Sequence, residues 1–396
     1  MTTSRAFVIG AAAALACAAC SSSSNAPNID AAVPHDGPAD AAKGLDAHDG
    51  GDAAADAPIV GVTLTATLVT AIDLPGIPVA AAYNAGTKKA YFACQTPAGA
   101  SAGVAVVDDV MNKVVATLTP AAVVTALAAN ATTKVVYAAE GAALEIFDSA
   151  ADTSTKSVPI PDGSTVAGLA VDEVHDKTYV VTTTPAGTEF FVLDGPTAML
   201  TSLRQPLLRP VGMPVIAVDG PTQQVFILGV DSNSEGEVVT LDGPSAVPQH
   251  VVATADTKVD PAVAGIVPLG AGTAAILSVK PGIVQPLMRK NVTLPASFVP
   301  AGFAAADLGQ GTIVLVAGFR ADGGLEGLGV DTTTGALSPF ELPIAGGLPA
   351  GTTAARLLTA APVTGGTELY VNPTPDPAST AAYAPTQTIK LTVTTD

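Results

Sequence analysis

The sequence contains no tryptophan, and phenylalanine, tyrosine and tryptophan together make up only 4% of its 396 residues. Such a low aromatic content argues against stacking platforms for single-stranded nucleic acid and against an aromatic sugar-binding cleft. Charged residues are also scarce, at 13%, and 35 acidic residues outnumber 17 basic ones to give a net charge of −18. Because an acidic surface repels phosphate backbones, we expect no nucleic-acid partner.

Cysteine and histidine are both rare. The sequence holds three cysteines, which are Cys17, Cys20 and Cys94. Two of them lie at the N-terminus, so the folded part has a single cysteine and can form neither an internal disulfide nor a cysteine metal cluster. Cys94 ends the apolar run AYFAC, and we predict a small buried strand residue there rather than a reactive thiol. The folded part has only His175 and His250, too few for a histidine-rich metal centre.

The N-terminus is typical of an exported protein. Arg5 precedes an apolar stretch at 6–16, and eleven residues are too few to span a bilayer. The segment AACSSSS that follows resembles the lipobox of bacterial lipoproteins, whose cysteine becomes the lipidated first residue of the mature chain. The resemblance implies a signal peptide at 1–19, a lipid anchor on Cys20 and, because serine follows it, sorting to the outer membrane. Lipidation of Cys17 and secretion without an anchor are the alternatives.

Residues 20–58 predict a disordered tether. After the cysteine they consist mainly of serine, alanine, aspartate, glycine and proline, with no aromatic residue. This composition buries too little apolar area to offset the entropy of ordering the chain. A flexible coil of this length spans on the order of 35 Å. We therefore expect an extracytoplasmic protein held clear of the membrane by a lipid-anchored tether, on the bacterial outer membrane or cell surface.

Residues 59–396 repeat a unit of four β-strands. The clearest marker is an Asx residue that ends an apolar strand, followed seven positions later by an aromatic or aliphatic residue of the next strand. The pairs are Asn84 and Tyr91, Asn130 and Tyr137, Asp172 and Tyr179, Asp219 and Phe226, and Asp307 and Val314. Units start roughly 40 to 50 residues apart, the period of four-stranded propeller blades. We count seven units, the fifth irregular because Pro286 interrupts its third strand.

One strand is left over at the front of the repeats. Residues 63–74 alternate with a period of two, whereas the last unit lacks a fourth strand after 388–394. Pairing these two segments closes a ring and removes the exposed sheet edges that cause aggregation. The sequence therefore predicts an all-β fold, a seven-bladed β-propeller closed by its N-terminal strand. A linear β-solenoid is the alternative.

The segment VAVVDDVMNKVVATLTP (104–120), together with KKAYFAC (88–94), resembles the YVTN-type repeat of bacterial surface β-propellers. In that repeat a Tyr-Val strand, a strand that ends in aspartate and a strand of the type [TN]-x-[KR]-V-V-A-T succeed one another. The resemblance covers most of residues 77–345 and implies a seven-bladed ring. It supplies no catalytic residues.

The segment DSNSEGEVVTLD (231–242) places oxygen-bearing side chains at the spacing of a calcium-binding loop. These side chains belong to Asp231, Asn233, Glu235, Glu237 and Asp242. Oxygen ligands at alternate positions, with glycine at the sharp turn, suit Ca²⁺. The segment also resembles the D-x-D-x-D-G loops of some calcium-binding propellers. The alternative is a solvated acidic hairpin without a cofactor, because Asp242 is also the strand-end aspartate of its unit.

Two arginines are candidate ligand-binding residues. Arg356 interrupts the apolar stretch of an innermost strand, where a charge must be paired or face a hydrated central channel. Arg209 lies in a connection between blades, which shares a face with the long loops between second and third strands. Those loops are residues 95–103, 231–237, 319–327 and 372–385. Since variable loops on a rigid scaffold usually carry binding, the sequence predicts a monomeric binding module for a protein or glycan ligand.

Two other functions stay open at this point. A metal-dependent lactonase or other hydrolase would need the strand-end Asx residues to converge on the central channel. Their recurrence as turn formers in every clear unit favours a structural role instead, and we predict no catalytic residues. The third possibility is an architectural envelope protein with no ligand.

Overall fold

The computed structural model describes residues 63–161, 164–184, 187–203, 215–230, 236–243, 248–253, 265–278, 282–287, 289, 291–307, 312–344, 352–363, 366–375 and 387–395. Within these ranges the regular elements are β-strands, and no helix is long and apolar enough to cross a membrane. The predicted signal peptide (1–19), the lipid-anchor residue Cys20 and the tether (20–58) lie outside the described residues. They stay predictions.

The strands form seven four-stranded antiparallel sheets, the blades. Blade 1 contains β2 (Ile77–Asn84), β3 (Lys89–Gln95), β4 (Ser101–Asp108) and β5 (Lys113–Leu118), and blade 2 contains β6 (Val124–Asn130), β7 (Val135–Glu140), β8 (Ala143–Asp148) and β9 (Thr153–Pro159). Blade 3 contains β10 (Thr165–Asp172), β11 (Lys177–Thr184), β12 (Gly187–Asp194) and β13 (Met199–Ser202), and blade 4 contains β14 (Val215–Asp219), β15 (Gln224–Val230), β16 (Gly236–Asp242) and β17 (Pro248–Ala253).

The remaining blades follow the same order, apart from the last strand of blade 7. Blade 5 contains β18 (Gly265–Gly270), β19 (Thr273–Ser278), β20 (Ile283–Pro286) and β21 (Val292–Thr293), and blade 6 contains β22 (Val299–Asp307), β23 (Thr312–Phe319), β24 (Leu325–Asp331) and β25 (Leu337–Glu341). Blade 7 contains β26 (Thr352–Val363), β27 (Gly366–Pro375), β28 (Gln387–Thr395) and the N-terminal strand β1 (Leu64–Asp73).

The seven blades close into a ring. The first strand of each blade packs against the first strand of the next, and β26 packs against β2. β1 pairs antiparallel with β28, from Leu64 opposite Thr395 to Asp73 opposite Gln387, and is the outermost strand of blade 7. The predicted seven-bladed β-propeller, with closure by the N-terminal strand, is confirmed, and the solenoid alternative is wrong.

The core lies between neighbouring blades. Because blades stack face to face, each middle strand is covered on both sides, which explains apolar runs without polar alternation. Val104 to Val107 in β4 are all fully buried. Cys94 is 3% exposed, as predicted, and burial raises the pKa of its thiol to about 11. A thiol with such a pKa carries almost no reactive thiolate at neutral pH.

The ring has two faces of different character. In an antiparallel blade, the turn between the first two strands and the hairpin between the last two lie on the same side. We call this side the turn face. The loops between second and third strands, and the connections between blades, lie on the opposite side, which we call the loop face.

Candidate functional site

The strand-end asparagines lie on the turn face and connect neighbouring blades. Asn84 is fully buried; its Oδ1 accepts a hydrogen bond from Gly86 N at 3.1 Å, and its Nδ2 donates to the Asn130 carbonyl at 3.1 Å. Asn130, in blade 2, repeats the arrangement. Its Oδ1 accepts from Thr133 N at 3.1 Å and its Nδ2 donates to Asp176 Oδ1 at 2.8 Å. Each asparagine therefore closes its own turn and contacts the next blade.

The strand-end aspartates are used in the same way. Asp172 Oδ1 accepts from the backbone of Val174 at 3.0 Å, and Asp172 Oδ2 lies 2.8 Å from His175 Nδ1. Asp219 Oδ2 accepts from Gly272 N in blade 5 at 2.6 Å. Both carboxylate oxygens of Asp172 and Oδ2 of Asp219 therefore contact groups of the turns, as a structural role requires.

The described ranges contain no group of three or more His, Cys, Asp or Glu side chains that could hold a metal ion. Asp307 ends β22, but its side chain lies outside the part that the structure describes, as does the His250 side chain.

A second set of contacts on the turn face explains why an aromatic residue follows the Asx residue seven positions later. Tyr91 in β3 is fully buried; its hydroxyl donates to Asp152 Oδ1 at 3.1 Å and lies 2.7 Å from Ser149 Oγ. Ser149 and Asp152 belong to the β8–β9 hairpin of blade 2. Lys89 Nζ contacts Asp152 Oδ2 at 2.7 Å. Burial raises the pKa of Tyr91 well above its ordinary value, so its hydroxyl stays a donor. The tyrosine therefore holds the hairpin of the following blade.

Between blades 7 and 1, where the ring closes, a buried polar network takes the place of the contact that Tyr91 makes between blades 1 and 2. We call it the closure cluster, and its members are Tyr83, Asp109, Asn112, Glu368, Tyr370 and Lys390. Lys390 in β28 is 2% exposed. Its ammonium donates to Asp109 Oδ1, to the Asp109 carbonyl at 2.9 Å and to Asn112 Oδ1 at 2.9 Å, and lies 3.0 Å from Glu368 Oε2. One lysine of blade 7 thus holds the β4–β5 hairpin of blade 1.

Two carboxyl groups of the closure cluster, Asp109 and Glu368, have pKa values shifted in opposite directions. Asp109 also accepts from the hydroxyls of Tyr370 at 2.9 Å and Tyr83 at 3.1 Å. Burial acts to raise the pKa of Asp109, but hydrogen bonds from Glu368, Lys390 and Tyr370 hold it below its ordinary value. Burial, and the neighbouring Asp109, raise the pKa of Glu368 to about 7. Of the two carboxyl groups, Glu368 is therefore the one that takes up a proton first as the pH falls.

A further carboxyl pair lies at the loop-face end of the boundary between blades 1 and 2. Glu140 and Glu145 are 6% and 9% exposed, and Glu140 Oε2 accepts from Ala122 N at 3.0 Å. Burial, and then the charge of Glu145, raise the pKa of Glu140. Sequence reasoning missed both buried carboxyl pairs.

The loop face carries a groove between blades 5 and 6, with a volume of about 610 Å³. Its floor and walls are formed by Pro295, Phe298, Leu328, Leu337 and Pro339, and Arg320, Asp322 and Glu326 lie beside them. Gly318 allows the Phe298 ring to approach β23, because a Cβ at Gly318 would lie 2.5 Å from Phe298 Cζ. The predicted binding loop 319–327 therefore lines this groove. The groove itself was not predicted.

The predicted calcium ligands are only partly described. Asp231, Asn233 and Glu235 lie outside the described residues. Glu237 and Asp242 stand near opposite ends of β16, and five residues of extended strand separate them by roughly 17 Å. One ion therefore cannot contact both side chains. The hypothesis that the segment 231–242 binds calcium stays a prediction for the remaining ligands, which are Asp231, Asn233, Glu235 and either Glu237 or Asp242.

The predicted ligand-binding arginines are also only partly described. Arg356 lies in β26, the innermost strand of blade 7, as predicted, opposite Asn372. Its side chain lies outside the description, and so does the whole of Arg209. Their roles in ligand binding stay predictions.

Comparison with known proteins supports the fold alone. No protein-family model and no curated protein matches the chain. Among solved structures, Kuenenia stuttgartiensis hydrazine synthase matches with 13% identity and a TM-score of 0.54, over 75% of this chain and 93% of that chain. The β-propeller domain of Myceliophteria thermophila Cps50 (Swd1) matches with 10% identity and a TM-score of 0.54, over 82% of this chain and 98% of that one.

A chain of a mitotic checkpoint complex matches with 12% identity and a TM-score of 0.56, over 82% of this chain and 91% of that chain. At such low identity these likenesses show a shared architecture alone. The propeller fold is consistent with an interaction module. The resemblance to YVTN-type repeats stays a prediction.

Proposed function

We propose that this protein is a lipid-anchored, extracytoplasmic β-propeller that binds another protein through its loop face. The observation that supports this most strongly is the contrast between the two faces. On the turn face, strand-end Asx residues, tyrosines and lysines are engaged in contacts from one blade to the next. The loop face carries loops of unequal length and the groove. Binding sites usually lie on such loops, positioned by a rigid scaffold.

The membrane anchor and the cellular location are the part of the proposal that rests on sequence. The lipobox-like segment around Cys20, the acidic tether and the resemblance to surface propellers all favour an outer-membrane or cell-surface protein. We expect the wild-type protein, expressed in a bacterium with a lipoprotein pathway, to sediment with membranes. Replacement Cys20→Ala should release most of it, and Cys17→Ala should not. A Cys20→Ala protein that stays with membranes contradicts lipidation at this residue.

Site-specific photo-crosslinking tests the choice of face. A benzophenone amino acid placed at Ser101 or Ser297 probes exposed positions of the loop face, and the same amino acid at Met111 or Met199 probes the turn face. In cells that express the protein natively, we expect a discrete adduct with a second protein from loop-face positions only. Adducts from the turn face alone contradict the proposal. A protein with no adducts at either face supports the architectural alternative instead.

A further inference from the structure

The groove exists because blade 5 is incomplete at its outer edge. Its third strand, β20, ends at Pro286, which has no N–H to donate, and its fourth strand, β21, has only two residues. The fourth strands of the other blades have four to ten residues. The outer half of the blade 6 sheet therefore lacks the cover that a full neighbouring strand would provide.

The uncovered surface combines an apolar floor with acidic margins. Leu328 is 2% exposed and stands opposite Pro339, which is exposed. Two residues further toward the loop face, Glu326 stands directly opposite Glu341. Directly opposed residues share a face of the sheet, and like charges in such a pair destabilise it. A cation bound beside them would remove this repulsion.

Among the residues at the groove that the structure describes, the charges do not cancel. Arg320 Nε lies 3.3 Å from Asp322 Oδ1, so this pair is neutral as a whole. Glu326 and Glu341 are then left with two negative charges, on a protein whose net charge is already −18. The margin of the groove therefore favours a positively charged ligand.

The chemistry of the floor favours a protein segment over a glycan. The aromatic ring at the groove, Phe298, is 5% exposed and cannot offer its face to a sugar. The exposed prolines Pro295 and Pro339 and the half-buried Leu337 instead form an apolar surface suited to an aliphatic side chain. The protein's own tether, with seven aspartates and one lysine in residues 20–58, carries the wrong charge for this site.

We propose that the groove between blades 5 and 6 binds an extended segment of a partner protein, in which an apolar side chain stands next to a lysine or arginine. The apolar side chain packs on Leu328, Leu337 and Pro339, and the basic side chain pairs with Glu326 and Glu341. This inference rests on the proposed function and adds to it the chemistry of the partner.

A random peptide library provides the probe. Phage-displayed 12-residue peptides are selected on the immobilised protein, and the affinities of the selected peptides are measured by fluorescence anisotropy. Ser297→Trp fills the groove from an exposed position, and Ser101→Trp makes the same change on the loop face of blade 1. Glu326→Gln removes one acidic group of the groove, and Glu189→Gln removes one from the third strand of blade 3.

We expect the selected peptides to be enriched in aliphatic residues adjacent to lysine or arginine. Ser297→Trp should weaken their binding at least tenfold and Glu326→Gln about fivefold, with a weaker dependence on salt concentration for the latter. Ser101→Trp and Glu189→Gln should change the affinity less than twofold.

The failures of the two proposals are distinguishable. If the selected peptides bind the Ser297→Trp variant but not the Ser101→Trp variant, the groove is not their binding site, and the loop face remains the binding surface. Selected peptides without basic residues, or equally strong binding to Glu326→Gln, overturn the partner chemistry. If the selected peptides bind both tryptophan variants as well as the wild type, or if the selection enriches no peptide, both the groove proposal and the loop-face proposal are wrong.

Discussion

At the scale of single residues, buried polar side chains connect the blades. Lys390, 2% exposed, would be far too costly to bury alone, and it is accommodated because Asp109, Asn112 and Glu368 surround its ammonium group. The residues involved are far apart in sequence; Lys390 and Asp109 are separated by 281 positions. No local pattern could have identified the pair before the ring was known to close.

The raised pKa of Glu368 in the closure cluster makes stability depend on pH. The pKa of Glu368 is about 7 in the folded protein and near the ordinary 4.5 in the unfolded chain. Between these values the folded state binds more protons, so its contribution to stability is complete below about pH 4.5 and is lost as pH rises through 7. Glu140, whose pKa is also raised, acts in the same direction.

We therefore predict that Glu368→Gln, which keeps a donor toward Asp109 but cannot ionise, flattens the pH dependence of the melting temperature between pH 5 and 8. At pH 8 the variant should melt at least about 2 °C above the wild type. Asp73→Asn, which changes an exposed carboxyl group at the end of β1 in the same blade, serves as the control and should follow the wild-type curve. A Glu368→Gln protein with the wild-type slope, or a lower melting temperature at pH 8, contradicts the raised pKa of Glu368.

At the scale of elements, the repeat marker has a clear physical meaning. The strand-end Asx residue closes its own turn and contacts the following blade, and the aromatic residue seven positions later lies on the second strand near the next hairpin. The turn-forming role of the Asx residues was predictable from local chemistry. Their contacts to the next blade were not, because sequence spacing does not show which blades lie side by side.

Among the strands, β1 is the one whose removal should lower the stability of the ring most. It covers β28, and its side chains Leu64 and Ile72 are 4% and 2% exposed. Burial of these two side chains alone contributes roughly 3 to 6 kcal/mol. We predict that a chain lacking residues 1–75 aggregates or melts far below a matched chain lacking only residues 1–62.

A synthetic peptide of residues 63–74 should restore much of the lost stability, because it can pair with the edge of β28. Thermal unfolding followed by circular dichroism measures both effects. A chain without β1 that stays soluble and melts cooperatively at the same temperature contradicts closure by the N-terminal strand.

At the scale of the whole molecule, the two faces of the ring differ in role. The turn face holds the ring together through side-chain contacts across blade boundaries, including the boundary between blades 7 and 1. The loop face is free to vary in loop length without disturbing those contacts. The one blade with a very short outer strand lies beside the groove, so an irregularity of the repeat coincides with the candidate binding site.

The sequence by itself determined the class of fold, the number of blades and the strand that closes the ring. These follow from periodicity, because alternation, apolar runs and Asx turns are properties of neighbouring residues. It also showed that blade 5 would be irregular at Pro286. Only the tertiary structure decided that this irregularity opens a groove and that Lys390 holds Asp109. These features depend on distances between residues from different blades, which the order of residues along the chain does not encode locally.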